Sequence, residues 1–212
     1  DAEGDITSRT DTTDVTDTLI DAAIAQLTGD IMQKPAAVSA IKIDGKRAHE
    51  RVRDGETVDI PARPVTVHRF DVLDRRSVDG YIDLDVDVFC SSGTYIRSLA
   101  RDLGNALGVG GHLTALRRTT VGPFDLTHAR TLEELEDNPQ LSLTLDQALA
   151  ASFPILRVSG EEGHKLAMGQ WLEPRGLKGI HAAVTPDGQA VALVKEKGKR
   201  LATVFVARPS TL

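Results

Sequence analysis

The sequence of 212 residues is poor in cysteine, methionine and aromatic residues: it has one cysteine, two methionines and one tryptophan, and only 4% of its residues are aromatic. Because Cys90 has no second cysteine to pair with, a disulfide framework within the chain is excluded, as is typical of proteins from a reducing compartment. No stretch approaches the run of about 18 apolar residues that a transmembrane helix requires. The acidic first residues do not resemble a signal peptide. These absences predict a cytoplasmic protein that has no membrane partner.

Motifs of metal and nucleotide chemistry are also missing. None of the six histidines stands at the HxH or HxxxH spacing, and Cys90 has no partner, so the sequence predicts no metal site. The glycines of residues 108–111 match neither GxGxxG nor a phosphate-binding loop that ends in Lys-Ser/Thr, which argues against a nucleotide site. The Gly-x-Ser-x-Gly motif of serine hydrolases is absent.

The formal charge of −6 argues, taken alone, against binding to a nucleic acid. The charge is unevenly distributed, however: residues 1–30 carry −7, whereas residues 34–53 and residues 154–212 each carry +4. A chain that is acidic overall can therefore still present two basic surfaces to a polyanion. The alternative is that either basic cluster reflects chance grouping of surface charges.

Periodicity and turn signals predict an α+β fold, with a mixed or antiparallel sheet flanked by helices. The apolar spacing of residues 17–28 and 94–107 predicts two helices. Residues 64–73 and 81–89 predict an antiparallel pair joined at Asp79-Gly80, with a bulge in the first strand. Residues 30–62 show no clean period and predict a long, partly ordered basic excursion.

A boundary is predicted near Phe153-Pro154, which divides the chain into residues 1–152 and a small module of residues 153–212. Capping-box spacings predict short helices that begin after Thr131, Thr144 and Ser159. Strand-like runs at residues 191–194 and 201–207 follow the last of these helices, so the module combines a helix with short strands.

The most informative segment is Cys90-Ser91-Ser92-Gly93-Thr94-Tyr95-Ile96-Arg97, which predicts a strand end, a tight turn and a helix start. Arg97 falls in the first helical turn, where a cation meets the unfavourable end of the helix dipole. This position predicts a carboxylate or phosphate partner for Arg97; the alternative is an ordinary surface arginine. Ser91 and Ser92 have no partner histidine in the pattern and are interpreted as turn and cap residues.

This segment resembles the arginine motif of the pseudouridine synthases, specifically of the tRNA pseudouridine synthase B family. Three further stretches agree with that family in order and spacing. They are Asp1-Ala2-Glu3-Gly4, Ser39-Ala40-Ile41-Lys42-Ile43-Asp44-Gly45-Lys46-Arg47, and Gly111-His112-Leu113-Thr114-Ala115-Leu116-Arg117-Arg118-Thr119. The resemblance covers residues 1 to about 150. Residues 153–212 resemble the PUA-like C-terminal modules of these enzymes by position and element order.

The resemblance implies an enzyme that isomerises the uridine at position 55, in the T-loop of tRNA, to pseudouridine. Such enzymes use no cofactor or metal; they cleave the C–N glycosidic bond of a flipped-out uridine and re-form a C–C bond with the help of an aspartate nucleophile. The family's Gly-Thr-Leu-Asp-Pro-like nucleophile motif is absent from these residues. The chain opens at Asp1 without methionine, so we expect it to start partway through a longer protein and to be inactive on its own.

The resemblance also assigns roles to individual residues. It implies that Arg97 forms a salt bridge with the catalytic aspartate and that Asp1 belongs to the same network. Tyr95 and Leu116 match residues that line the uracil pocket. The basic segment of about residues 32–62 matches the family's thumb-like segment that grips RNA. It carries Lys42, Lys46 and Arg47. The implied partner is the T-arm of tRNA, bound by a monomer.

Two other classes of function remain open at this point. A non-catalytic RNA-binding or RNA-folding protein would use the same basic surfaces and would need no nucleophile. A structural scaffold would show no salt-sensitive affinity for tRNA.

Overall fold

The computed structural model describes residues 5–6, 8–35, 42–43, 46–47 and 60–210; of residues 42–43 and 46–47 it describes the backbone alone. The chain forms two compact units, Asp1–Leu116 and Arg117–Leu212. Helices and sheets occur in both units, which confirms the predicted α+β class. No helix in the described part of the chain is long and apolar enough to cross a bilayer.

The first unit contains two helices and five strands within its described residues. In chain order they are α1 (Asp17–Gln26), β1 (Gly29–Gln33), β2 (Lys42–Ile43), β3 (Lys46–Arg47), β4 (Arg63–Val78), β5 (Tyr81–Cys90) and α2 (Ile96–Ala106). Strands β1, β4 and β5 form an antiparallel sheet in which β4 lies in the middle. The two-residue strands β2 and β3 pair with each other.

Helix α1 begins where the sequence predicts it and ends two residues earlier. The hydroxyl of Thr16 caps its start by accepting a hydrogen bond from the amide of Leu19 at 3.3 Å. Arg75 of β4 donates to the carbonyl of Val15 at 2.7 Å and forms an ion pair with Asp17. The N-terminal end of α1 is therefore held against the middle strand of the sheet.

Strand β1 corrects the prediction of an irregular excursion over residues 30–62. Gly29–Gln33 pairs along its whole length with residues Arg63–Val67 of β4. The sequence pattern hid this strand because its most buried position is occupied by the polar Gln33. Without an apolar residue there, the alternation that marks a half-buried strand is broken.

The predicted hairpin is present and is longer than predicted. Strands β4 and β5 are joined by Asp79 and Gly80, whose φ angles of 49° and 81° are those of a tight hairpin turn. The register shifts between Val67 and Arg69, which confirms the predicted bulge, and it shifts again between Val72 and Asp74.

The core of the first unit lies between this sheet and the two helices. Its buried members from the helices are Ile20, Ala23 and Ile24 of α1 and Leu99 and Leu103 of α2. Val15, which precedes α1, and Val67 and Phe70 of β4 complete the buried set, and alternate side chains of β5 pack at its margin. These contacts fix α2 relative to the sheet, and with it the turn that precedes α2.

The second unit contains three α-helices and six strands. They are β6 (Thr120–Val121), β7 (Phe124–Asp125), α3 (Leu132–Asp137), α4 (Leu145–Ser152), β8 (Ile155–Arg157), α5 (Gly160–Ala167), β9 (Ile180–Val184), β10 (Ala190–Lys197) and β11 (Arg200–Val206). A 3-10 turn at Leu126–His128 follows β7. Capping boxes at Thr131, Thr144 and Ser159 open the three helices as predicted.

The main sheet of the second unit has the order β11-β10-β9-β8 and is mixed, since β8 runs parallel to β9. One face packs around Leu166 of α5, together with Val194 and Leu201. The other face packs against Leu149 of α4 and the adjoining Phe153. Helices α4 and α5 therefore cover opposite faces of the same sheet.

Candidate active site

The turn between β5 and α2 is held by hydrogen bonds in which Ser91 takes part. The hydroxyl of Ser91 accepts a bond from the amide of Thr66 at 2.9 Å, and the amide of Ser91 donates to the carbonyl of Thr66 at 2.8 Å. Thr94 closes the turn by donating its hydroxyl to the carbonyl of Ser91 at 2.8 Å. Gly93 adopts a φ of 86°, which a residue with a side chain rarely does. The structural interpretation of Ser91 is confirmed.

Tyr95 is the residue at which α2 begins. Its carbonyl accepts the amides of Ser98 at 3.0 Å and Leu99 at 3.1 Å, while its own backbone is still extended. The Tyr95 side chain is half-buried, and Arg97 is exposed in the first turn of the helix. Ser98 and Leu99, which follow Arg97, face the core. The Arg97 guanidinium is therefore presented from a helical turn whose other side is anchored.

The end of β1 is bound to α2 at two points. The carboxamide of Gln33 donates from Nε2 to the Tyr95 carbonyl at 3.1 Å and accepts from the Tyr95 amide at 2.7 Å. Farther along the helix, Arg101 donates to the carbonyl of Lys34 at 2.7 Å and pairs with Asp102 at 2.8 Å. Residues 33–34 are thus fixed against the helix that carries Arg97. Sequence patterns did not single out Gln33; the only signal was a polar residue at an inward strand position.

The glycine-rich segment after α2 packs directly onto the helix. The carbonyl of Gly104 accepts the amides of Val109 and Gly110, each at 3.0 Å. A Cβ on Gly104 would lie 2.0 Å from the carbonyl carbon of Gly110, and a Cβ on Gly111 would lie 2.5 Å from the carbonyl oxygen of Ala100. Because Ala100 is one turn closer to the helix start than Gly104, the segment runs back along α2 in the direction of Tyr95.

Leu116 follows this returning segment and is 59% exposed. An exposed leucine at this position offers an apolar surface without contributing to the core. Of the other predicted site residues, Asp1 lies outside the described residues. Lys42, Lys46 and Arg47 are described only through their backbones in β2 and β3, where Lys42 pairs with Arg47 and Ile43 with Lys46.

Charges on the outer face of the β4–β5 hairpin are paired. Arg76 donates to the Asp85 carboxylate at 2.8 and 3.1 Å, and Arg69 forms an ion pair with Asp87. The hydrogen bonds from Arg76 hold the pKa of Asp85 below its ordinary value. Arg69 and Arg76 thus offset part of the negative charge on this face of the hairpin.

A separate aromatic and basic surface lies on the second unit. The Arg200 guanidinium stacks over the Trp171 ring, 4.7 Å from its centroid, and Trp171 is 46% exposed. Lys197 pairs in register with Arg200, and both line a surface groove of about 440 Å³ together with Trp171 and Thr203. Exposed rings beside cations can stack on bases and contact phosphates. The pairing of Trp171 with Arg200 was not evident from the sequence, since 28 intervening residues had to fold first.

Among residues 8–35 and 60–210, no three histidine, cysteine, aspartate or glutamate side chains come together in a geometry that could hold a metal ion. The side chains of the first unit that could take part in a reaction are those of Arg97 and Tyr95. A guanidinium orients and stabilises a carboxylate through charge-assisted hydrogen bonds.

Comparison with known protein families agrees with this geometry. Residues 1–96 match the model of the TruB family pseudouridylate synthase N-terminal domain. Residues 97–151 match the tRNA pseudouridylate synthase B C-terminal domain, and residues 153–208 match the C-terminal region of tRNA pseudouridine synthase II. These matches define the class as pseudouridylate synthases.

Relatives of high identity narrow the class. The chain is 69% identical over 212 residues to tRNA pseudouridine synthase B of Corynebacterium efficiens. The alignment covers all of this chain and 71% of that relative. The corresponding protein of Nocardia farcinica is 57% identical, again over all of this chain and 69% of the relative. The chain belongs to the TruB family of tRNA pseudouridine synthases, as its motifs predicted.

Solved structures show the same fold at lower identity. The chain superposes with a TM-score of 0.68 on a chain of a Cbf5-Nop10-Gar1 complex, at 24% identity, covering 95% of this chain and 65% of that one. A second match, to an H/ACA RNP bound to a substrate RNA containing 2'-deoxyuridine, has a TM-score of 0.66 at 24% identity and covers 95% and 63% of the two chains.

Proposed function

We propose that this protein isomerises a uridine of tRNA to pseudouridine, and that its substrate is the T-loop uridine at position 55. The reaction cleaves the bond from the ribose to N1 of uracil, rotates the base and joins the ribose to C5. Uridine and pseudouridine are isomers, so no group is gained or lost overall. A base inside a stacked loop cannot present these atoms, so the uridine is flipped out to react.

The feature behind this assignment is the start of α2, where Arg97 is exposed in the first helical turn and the two residues that follow it are buried. We assign to Arg97 the role of pairing with the catalytic aspartate, which keeps that carboxylate ionised and oriented for attack. Tyr95 and Leu116 contribute apolar surface to the pocket for the flipped uracil. Asp1 belongs to the same network of charges. The 212 residues contain no Gly-Thr-Leu-Asp-Pro-like motif. We therefore assign to them the role of orienting and stabilising the nucleophilic aspartate.

RNA binding is proposed to involve both units. The basic segment over residues 32–62, with Lys42, Lys46 and Arg47, grips the T-arm. Residues 153–212 form a PUA-like module appended to the catalytic remainder of residues 1–152. Within the module, Arg200 and Lys197 contact phosphates beside the exposed Trp171 ring. The protein acts as a cytoplasmic monomer, without cofactor or metal.

The experiment is to measure pseudouridine formation by the complete gene product and its Arg97→Ala variant, with unmodified tRNA as substrate. We expect Arg97→Ala to lower turnover by about 100-fold or more, since an aspartate without its guanidinium loses both orientation and charge stabilisation. Binding of tRNA is expected to stay within about threefold of wild type, because a single phosphate-independent contact is removed.

Arg76→Ala is the matched control, because Arg76 is also an exposed arginine of the first unit but lies on β4 near the Asp79-Gly80 turn, away from the end of β5 that leads to α2. It should leave turnover near that of the wild type. Near-normal turnover of Arg97→Ala would overturn the role given to Arg97. Salt-sensitive tRNA binding without any pseudouridine formation by the wild-type protein would favour the alternative, a non-catalytic RNA-binding or RNA-folding protein.

A further inference from the structure

The carboxamide of Gln33 is a buried polar group near the predicted site. Gln33 is 1% exposed and ends β1, and it contacts a residue 62 positions later in the chain. Its two hydrogen bonds, 3.1 Å from Nε2 and 2.7 Å to Oε1, join both backbone polar groups of Tyr95. Tyr95 itself makes no side-chain cap for α2. Gln33 therefore makes, from another strand, the bond to the N-cap amide that the N3 side chain makes in a capping box.

The chemistry of the contact is specific to a carboxamide of this length. Glutamine carries a donor and an acceptor on one planar amide group, and asparagine, which does so as well, is one methylene shorter. Glutamate keeps the acceptor for the Tyr95 amide but, when ionised, has no hydrogen to offer the Tyr95 carbonyl. Leucine fills a similar volume but leaves both backbone groups of Tyr95 without the Gln33 partner. A buried polar group without a partner carries a free-energy cost, so the backbone of Tyr95 is expected to shift until its groups find new partners.

We propose that Gln33 is a positioning residue for the isomerisation: it fixes the backbone of Tyr95 and thereby the place from which Tyr95 and Arg97 act. Arg97 lies two residues after Tyr95, within the same first turn, so a shift of the Tyr95 backbone is transmitted to both side chains. Catalytic geometry is sensitive to such shifts, since a displacement of about 1 Å can reduce turnover by about 100-fold. This role rests on the proposed function, because it assumes that Tyr95 and Arg97 serve that reaction.

The test compares Gln33→Leu and Gln33→Glu with the wild type in the complete gene product. We expect Gln33→Leu to lower kcat by about 10- to 100-fold while KM for tRNA changes by less than about threefold, because the RNA-gripping cations are untouched. Gln33→Glu retains one of the two bonds and is the second variant to measure should Gln33→Leu fail to fold. Its kcat, expressed relative to the wild type, should recover as the pH falls, because a protonated carboxyl can again donate to the Tyr95 carbonyl.

Val67→Ala is the matched control for loss of stability. Val67 is fully buried in the same core, and its apolar side chain can form no hydrogen bond with Tyr95 or Arg97. At temperatures where both variants are fully folded, Val67→Ala should keep the wild-type kcat. Amide exchange at Tyr95, measured by NMR, should accelerate in Gln33→Leu and stay slow in Val67→Ala.

The outcomes separate the two proposals. If the wild type makes no pseudouridine, the proposed function fails. If the wild type is active and Gln33→Leu turns over equally fast, the positioning role alone is overturned. It is overturned as well if Val67→Ala lowers kcat as much as Gln33→Leu at a matched loss of stability, or if Tyr95 exchange is unchanged.

Discussion

Asp146 and Arg208 form an ion pair at 2.9 Å, although 62 residues separate them in the chain. The same aspartate accepts a hydrogen bond from the amide of Ala190 at 2.6 Å, and Ala190 is completely buried at the start of β10. Arg208 in turn donates to the carbonyl of Ala190 at 3.0 Å. The first turn of α4 is thereby tied to the central strand of the sheet and to the segment that follows β11.

Replacing Asp146 by alanine is expected to destabilise the second unit. The substitution leaves the buried amide of Ala190 without its acceptor and removes the partner of Arg208, which predicts a loss of about 1–3 kcal/mol. The ion pair is partly exposed and contributes the smaller share. Urea unfolding followed by circular dichroism measures the change. Asp137→Ala is the control, because Asp137 is an exposed aspartate at the end of α3; equal losses in both variants would contradict the assigned role.

Gly104 is expected to tolerate no side chain. Alanine at this position would place its Cβ 2.0 Å from the carbonyl carbon of Gly110, so the returning segment that leads to Leu116 must move away from α2. We expect a loss of about 1–3 kcal/mol in unfolding free energy, together with reduced pseudouridine formation by the complete gene product. Gly160→Ala is the matched control, since nothing lies within 4 Å of a Cβ at Gly160. Wild-type stability of Gly104→Ala would contradict the close packing.

The sequence was most informative where structure depends on neighbouring residues. The apolar spacing of Leu99 and Leu103 predicted α2 to within two residues, and the pairs of capping residues predicted the starts of α3, α4 and α5. The four stretches that match the family, among them the motif around Arg97, are each contiguous, and their combination identified the family. Each of these signals spans fewer than fifteen residues, so local geometry decides it.

Features that depend on distant residues could not be predicted. Strand β1 was missed because the inward position of Gln33 is polar, and its burial makes sense only with Tyr95 as a partner. The stacking of Arg200 on Trp171 joins two segments that meet only in the folded second unit. Net charge was misleading for a similar reason, because its sign ignores where the acidic and basic residues lie in the fold.

The stability of the second unit is expected to depend on the ionisation of Glu196. Its carboxylate accepts the amides of Arg175 at 2.6 Å and Leu177 at 2.9 Å. These backbone hydrogen bonds, led by that from Leu177, lower the pKa of Glu196 below its ordinary value of 4.5. The folded state thus holds the charged form more strongly than the unfolded state does. Its contribution is fully present above about pH 4.5 and is lost as the pH falls through the lowered value.

Glu196→Gln tests this dependence, because glutamine keeps an acceptor oxygen but does not titrate. The difference in urea midpoint between the wild type and Glu196→Gln should be largest near pH 7 and should shrink between pH 5 and pH 3. Glu173→Gln is the control, since Glu173 is an exposed glutamate of the same unit for which the structure shows no hydrogen bond. A difference for Glu196→Gln that stays constant over this range would contradict the role of the charge.

Arg200 and Trp171 are expected to contribute to tRNA binding by different physical terms. Removing the Arg200 guanidinium takes away one phosphate contact, so Arg200→Ala should weaken binding and reduce the slope of log K against log salt concentration by about 1. Trp171→Ala removes a stacking surface and should weaken binding by about 1 kcal/mol, or about fivefold, while leaving the salt slope unchanged. Fluorescence anisotropy with labelled tRNA at several salt concentrations measures both quantities.

Arg157→Ala is the matched control for this pair, because Arg157 is an exposed arginine on β8, at the opposite edge of the same sheet from β11. It removes the same charge from the same unit, so a purely non-specific effect of net charge would weaken binding equally in Arg157→Ala and Arg200→Ala. A local surface predicts instead that Arg157→Ala binds like the wild type and keeps its salt slope. Because Arg200 also covers the Trp171 ring at 4.7 Å, the double variant should lose less affinity than the two single losses combined.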